Sequence, residues 1–518
     1  MHLPNRRRFL ADVGRGMLVA TCGSSLAFDL RLAHAADADG AERLTFGTRE
    51  GLVDLLQSSS PDRMLQHVVK ELRNGLTLKE VIAAAALANA RAFAGEDYVG
   101  FHTLMALRPA LTMAEEQRGP AAVLPVLKVL YRNSSRIGEA GATTTDALRP
   151  VPGSASDAGG AQAIRDAVHQ RNNAAAERAF AASALATPEA AFNDLLPTVE
   201  EGPEVHRVVL AARAWDMVSL VGEENAATML RQSLRYCLKN EERGAVHFAN
   251  VRAMLPRVMD QFRLESTAWG TKSVDDAWVQ GMVKTLWTSS PEQAAEAVAA
   301  AIVEGICPPR IFEALSLATT ELVLRDGGRK KEWAQAGKPE GSVHGDSIGV
   351  HASDAAHAWR TIALASNARQ RNAAIVLSAW HAAQDRMQRK DEFDAWEARP
   401  LAAHLERVTA TDQASLLTAL DDAIRANDQD LACAVTGRYG ARGFDEKPLM
   451  AKLRDYATSQ DGALHAEKYY LTTCSNFRAT SPAARWKHLV ALSRVTASEY
   501  GKPAAGMEQA RELVGLEA

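Results

Sequence analysis

Four of the fourteen histidines in this 518-residue chain recur in matched surroundings, and their type and spacing could do chemistry. "GFHTLMALRPALTMA" around His102 matches "GVHASDAAHAWRTIA" around His351 at an offset of 249. "EVHRVVLAARAWDMV" around His206 matches "ALHAEKYYLTTCSNF" around His465 at an offset of 259. Each stands at the start of a helical pattern, behind a small or apolar residue. Neutral imidazoles brought to one point would bind iron, copper or zinc, four together or two or three with a carboxylate and water. Without metal they would act as general acids and bases that titrate near neutral pH. Asp346 and Asp354 are the carboxylates nearest His351 in sequence. Arg207 and Lys468, beside the other pair, would orient an anionic substrate or an oxygen-derived anion. His357 follows in the same run as His351, has Arg108 as its counterpart, and is a further catalytic candidate. The alternative is a non-catalytic scaffold or small-ligand-binding protein, because a histidine at a helix start can also serve a core by hydrogen-bonding loop carbonyls. His344 lies seven residues before His351, but Gly345 and Gly349 make that stretch read as loop. His247, His381, His404 and His488 have no counterpart and read as residues of ordinary helix faces.

The elements that must position these residues are helices. Alanine-rich stretches with apolar residues at helical spacing run almost end to end, and alternating Val/Ile/Thr segments with Asn-Gly turns are absent, so the chain reads as all-α. Expected helices cover 78–94, 103–115, 120–133, 161–185, 204–221, 224–239, 291–303, 308–325, 350–365, 369–388, 413–426, 463–478 and 482–498. Ser60-Pro61 and Ser290-Pro291 each place Ser before Pro with an acid next, which suits a first helical turn.

Those two sites open a longer match. "LQSSSPDRMLQHVVKELRNGLTLKEVIAAAALA" (56–88) aligns without a gap on "LWTSSPEQAAEAVAAAIVEGICPPRIFEALSLA" (286–318) at a constant offset of 230. Ser-Ser-Pro-acid followed at fixed distance by Gly is hard to reach by composition alone, so the chain reads as internally duplicated. The expected repeats are 50–262 and 278–514, two helical halves related by a pseudo-twofold, with a histidine-lined site between them. The period far exceeds the roughly 20 to 50 residues of a solenoid repeat. "GGRKKEWAQAGKPEGS" (327–342) reads as a surface insertion in the second copy, and the Gly/Ala/Thr/Ser-rich 138–160 as a mobile loop in the first.

Composition bounds the partners. A length prior of roughly 150 residues per domain suggests two to four units. The formal charge of −4 comes with no basic stripe, which leaves nucleic acid no electrostatic footprint and favours a small-molecule partner. No H-E-x-x-H, Rossmann glycine fingerprint or P-loop occurs, removing the zincins, Rossmann enzymes and NTPases with recognisable signatures. "NRRRFLADVGRGMLVATCGSSLAFDLRLAHA" resembles a twin-arginine export signal over residues 1–35: Arg6 and Arg7 are the pair, an apolar stretch runs from Met17 to Leu30, and Ala33-His34-Ala35 is the cleavage site. A lipoprotein variant on Cys22 is less favoured, because Thr21 is a poor residue before a lipidated cysteine. The resemblance implies transport by the twin-arginine translocase after folding in the cytoplasm, often with a cofactor loaded, and a periplasmic or secreted mature protein. Loss of five of 59 basic and two of 63 acidic side chains with that segment takes the formal charge from −4 to −7. No later run is apolar for the roughly 18 residues of a membrane span. Cys237, Cys307, Cys433 and Cys474 lie far apart without C-x-x-C, which leaves room for one or two disulfides and fixes no pairing.

The ordered segments "H-x-x-M-A-L", "V-H-R-x-x-x-A-A-R-A", "V-H-A-x-x-x-x-H-A-x-R" and "L-H-x-x-K" resemble the histidine motifs of the questin oxidase-like family. His102, His206, His351, His357, His465 and Lys468 fall on them. The resemblance implies an oxidoreductase, oxygenase-like, linked to aromatic polyketides and to ring opening of an anthraquinone of the Baeyer-Villiger kind with NADPH. The export signal departs from that family, and since NADPH is confined to the cytoplasm it puts substrate and electron source in doubt.

Overall fold

A computed structural model describes residues 43–154 and 159–516. The export-signal and Cys22 readings lie outside the described residues, as do positions 155–158 of the glycine-rich loop. Within them the protein is all-α: 24 α-helices joined by turns and short 3₁₀ segments, with isolated β-bridges and no sheet. In chain order they are α1 (Glu50–Ser58), α2 (Pro61–Arg73), α3 (Leu78–Phe93), α4 (Tyr98–Glu115), α5 (Leu124–Glu139), α6 (Ala161–His169), α7 (Asn173–Ser183), α8 (Pro188–Glu200), α9 (Val205–Val221), α10 (Ala226–His247), α11 (Ala249–Gln261) and α12 (Asp276–Thr288). There follow α13 (Pro291–Val303), α14 (Pro308–Leu324), α15 (Ile348–Ala365), α16 (Ala368–Met387), α17 (Lys390–Ala395), α18 (Ala402–Glu406), α19 (Gln413–Arg425), α20 (Gln429–Ala441), α21 (Glu446–Ser459), α22 (His465–Ala479), α23 (Trp486–Glu499) and α24 (Met507–Leu513).

The chain forms two compact units. The first comprises the described parts of Met1–Thr198, Arg213–Arg243 and Ala504–Ala518; the second comprises Val199–Ala212 and Gly244–Pro503. In the first, α3 packs on α1, α4 and α5, α4 and α2 pack on α5, and α24 lies on α5 and α2. Ala83 to Ala86, Ala88 and Ala90 of α3 are buried with Val81, Ile82 and Leu87, and such small side chains let neighbouring helices approach closely. Each buried Val, Leu or Ile contributes about 1.5–3 kcal/mol against about 1 for a helix cap, so the apolar face outweighs the caps in holding the bundle. In the second unit α14 packs on α12, α15 and α16, α15 and α13 pack on α16, and α22 and α23 add a further layer against α15 and α14.

The segments that align at offset 230 fold alike locally. Pro61 and Pro291 open helices of 13 residues behind an extended Ser. Both helices end at a left-handed glycine, φ 107° at Gly75 and 77° at Gly305. The next amide reaches back five residues in both, Leu76 N to Glu71 O at 3.0 Å and Ile306 N to Ala301 O at 3.1 Å. That closure needs a residue tolerant of positive φ, which explains the matched glycine.

Two sequence expectations are corrected. The continuous helix over 161–185 is broken into α6 and α7, because Arg171 turns left-handed at φ 53° and Asn172 caps the amide of Ala175 at 3.1 Å. Gly349 is inside α15, not in a loop; the helix starts behind Ser347, whose hydroxyl receives the Val350 amide. Segment 327–342 is a largely exposed connection with one 3₁₀ turn at Lys331–Trp333. The four cysteines of the described residues form no disulfide; Cys237, Cys433 and Cys474 are buried thiols, and Cys307 is half-buried behind α14.

Candidate functional site

Three of the four matched histidines meet inside the second unit. His351 is the fourth residue of α15, His465 the first of α22, and His206 lies at the start of α9, in the segment Val199–Ala212 that belongs to this unit. The Nε2 atoms of His351 and His465 are 3.2 Å apart. Their ring centroids are 5.2 Å apart, and the His206 ring stands edge-on to His351 at 5.5 Å.

The hydrogen bonds fix the tautomers. Nδ1 of His465 lies 3.1 Å from the carbonyl of Ala463, which can only accept, so Nδ1 carries the hydrogen and Nε2 the lone pair. Nδ1 of His206 is in close contact with the Glu204 carboxylate, which orients that ring in the same way. Anchoring one imidazole nitrogen on a carboxylate or carbonyl while presenting the other is how metal-ligating histidines are held. A tetrahedral metal with nitrogens at about 2.1 Å would space them about 3.4 Å apart. The 3.2 Å of the His351–His465 pair suits that spacing, and equally a hydrogen bond from His351 Nε2 to His465. Among the described residues, no group of three or more His, Cys, Asp or Glu side chains is disposed to hold a metal ion.

The electrostatics favour neutral imidazole. His351 keeps some exposed surface, yet protein encloses it closely enough that burial pushes its pKa down to about 3, with the His206 and Lys468 charges adding to the effect. Lys468, one turn after His465 on α22, is itself buried. Arg207 is buried next to His206 in a notch beside Gly202, where any Cβ would overlap its guanidinium. Asp354 receives the Thr472 hydroxyl at 2.7 Å, and Asp346 is engaged by Arg329 at 2.8 Å and Lys338 at 2.6 Å. Burial also pushes the nearby His344 down to about 4.

His102 belongs to the first unit, on α4, with Nδ1 2.7 Å from the Tyr98 carbonyl and its ring packed on Tyr98 and Phe101. His357 is six residues beyond His351, about 9 Å along α15 and about 120° around it, hence on another face. The helix faces that carry His381 and His488 are buried. His488 is fully buried between the hydroxyls of Thr320 at 2.8 Å and Thr480 at 2.9 Å, and His381 is buried beside Asp385.

Sequence reasoning missed what aims the rings. Glu204, two residues before His206, is not among the sequence candidates, yet its carboxylate holds the His206 ring. Ala463 and Leu464 adopt φ 51° and 65°, two consecutive non-glycine residues in the left-handed region directly before His465. Such residues cost of order 1–3 kcal/mol each and persist where packing enforces them. Part of that packing is Gly345, where a Cβ would overlap the Cβ of His465; the Gly345 amide donates to Glu499 at 2.9 Å. In comparisons with known proteins, no family model, curated protein or solved structure matches this chain.

Proposed function

We propose that the second unit carries an oxidoreductase centre of the oxygenase type. His351 and His465 bind iron, copper or zinc, and His206 joins them as the third nitrogen donor after a small turn of its ring. The observation that carries this reading is the Nε2–Nε2 approach of 3.2 Å between imidazoles, one of which has its Nδ1 hydrogen committed to a backbone carbonyl. Lys468 and Arg207 add positive charge for an anionic small-molecule substrate or an oxygen-derived anion. The resemblance to the questin oxidase-like motifs supports the reaction class, and the twin-arginine-like N-terminus supports export to the periplasm with the centre already loaded. His102, in the first unit, is given no place in this centre.

A second reading has its own observation: the same hydrogen bonds that orient the rings also satisfy them, as in a scaffold or ligand-binding protein with structural histidines. Metal analysis of protein purified from the periplasm separates the two. The oxidoreductase reading expects near-stoichiometric metal that is lost in a His351→Ala, His465→Ala double variant. Metal-free wild type, together with a double variant that loses stability, establishes the structural role instead.

A further inference from the structure

One carboxylate touches both of the segments that launch the helices carrying His351 and His465. It belongs to Glu499, the last residue of α23, and it is buried. That is an unfavourable place for a negative charge, which loses its water there and meets the negative end of the helix dipole. On one side Oε1 accepts the Gly345 amide at 2.9 Å, a bond strengthened by the charge of the acceptor. Two residues further on, the Ser347 carbonyl receives the His351 amide at 3.1 Å, so the held amide stands at the entrance to α15. On the other side Oε2 packs against Gly462, where a Cβ would lie 2.7 Å from it. The Gly462 carbonyl receives the His465 amide at 2.9 Å and so opens α22. The chain beyond Glu499 fastens the same segment, since Gln460 Oε1 accepts the amides of Gly501 and Lys502, each at 3.0 Å. The two segments close around His465 itself: a Cβ on Gly345 would lie 2.3 Å from the His465 Cβ and 3.0 Å from Glu499 Oε1. His344 Nδ1 stands 4.0 Å from that oxygen, beyond hydrogen-bond reach.

We propose that Glu499 is a positioning residue for the histidine pair: it clamps the 343–347 and 460–464 segments to the end of α23 and thereby sets the 3.2 Å between His351 Nε2 and His465 Nε2. The proposal rests on that pair being the working site. Glu499 acts through the backbone on either side of it, by accepting one amide and by leaving room only for glycine opposite.

Nitrogen NMR of the whole protein, labelled in its histidine rings and stripped of metal, tests the clamp. A hydrogen bond from His351 Nε2–H to His465 Nε2 gives a scalar coupling between the two nitrogens, identified by its loss in His351→Gln. The expected result is a coupling that survives in Glu499→Gln, which keeps the acceptor oxygen and the shape, and is lost in Glu499→Ala while circular dichroism stays that of the wild type. A coupling that persists in Glu499→Ala overturns the clamp, as does its absence from the wild type or its loss in Glu499→Gln. If Glu499→Ala does not fold, Glu499→Asp, shorter by one methylene, is expected to weaken the coupling, and an unchanged coupling there overturns the proposal. Titration with Zn²⁺, Cu²⁺ and Fe²⁺ separates the clamp from the metal centre. With the histidines as ligands, Glu499→Ala should bind about tenfold more weakly than wild type. Equal affinity overturns the clamp, whereas a wild type that takes up none of the three, with the couplings behaving as expected, refutes the metal centre and leaves the clamp standing.

Discussion

Helices α1 to α5 of the first unit and α12 to α16 of the second have the same order and the same neighbours, yet their buried polar groups differ in kind. Where α3, α4 and α5 meet, Asn89 donates to the Gly100 carbonyl at 2.8 Å, to Thr103 at 2.8 Å and to Asn133 at 2.7 Å. Where α15 and α16 meet, the groups are the Trp359 indole, the His381 imidazole and the Asp385 carboxyl. An amide and hydroxyl knot holds helices together and keeps its protonation state across the working pH range. An imidazole and carboxyl knot can also move protons. Apolar faces and matched helix ends set the frame in both, and the inner polar positions decide whether it can do chemistry.

The comparison can be broken by changing space first. Gly345→Ala should cost up to about 3 kcal/mol and displace His465, since its Cβ meets the site directly. Gly138→Ala, in the α5 helix of the first unit with nothing within 4 Å of its would-be Cβ, should stabilise by about 0.5–1 kcal/mol. Urea unfolding of both variants measures the difference, and equal effects would dissolve the contrast.

Acid should act next. His488 has a folded-state pKa lowered to about 3 by burial, so as pH falls below its ordinary value of about 6.5 the unfolded chain takes up the proton first. The contribution is therefore complete above about 6.5 and is lost progressively down to about 3, amounting to about 2 kcal/mol at pH 5. Unfolding free energies at pH 7.5 and 5, with His488→Gln as the control that flattens the slope, check the sign.

The smallest effect distinguishes the two matched helix starts. Ser290 forms a reciprocal cap with Gln293, at 3.2 and 3.0 Å, whereas Ser60 makes no side-chain cap bond. Ser290→Ala should cost about 1 kcal/mol and Ser60→Ala no more than a few tenths. Equal losses in melting temperature would mean that the second helix start does not depend on its cap.

The all-α architecture was legible because helical periodicity needs only a short window of sequence. His206, His351 and His465 were legible because each matched segment carries its histidine at one register. Glu204 was not, since its hold on His206 depends on a turn whose shape no spacing betrays. The Asp385–His381 pair was hidden for a related reason: an i, i+4 acid and histidine look like any solvated helix face until neighbouring helices bury them. The break at Arg171 could have been suspected from the two asparagines that follow it, which compete with the helix for backbone amides.

The distribution of thiols turns the two units into separate clocks. Only a thiolate reacts with alkylating reagents, and burial pushes the Cys433 thiol up to about 12. Its labelling therefore waits for the second unit to open, as labelling of buried Cys237 waits for the first, while half-buried Cys307 should react early. Mass-resolved labelling times would then report, without any added probe, which unit loosens first.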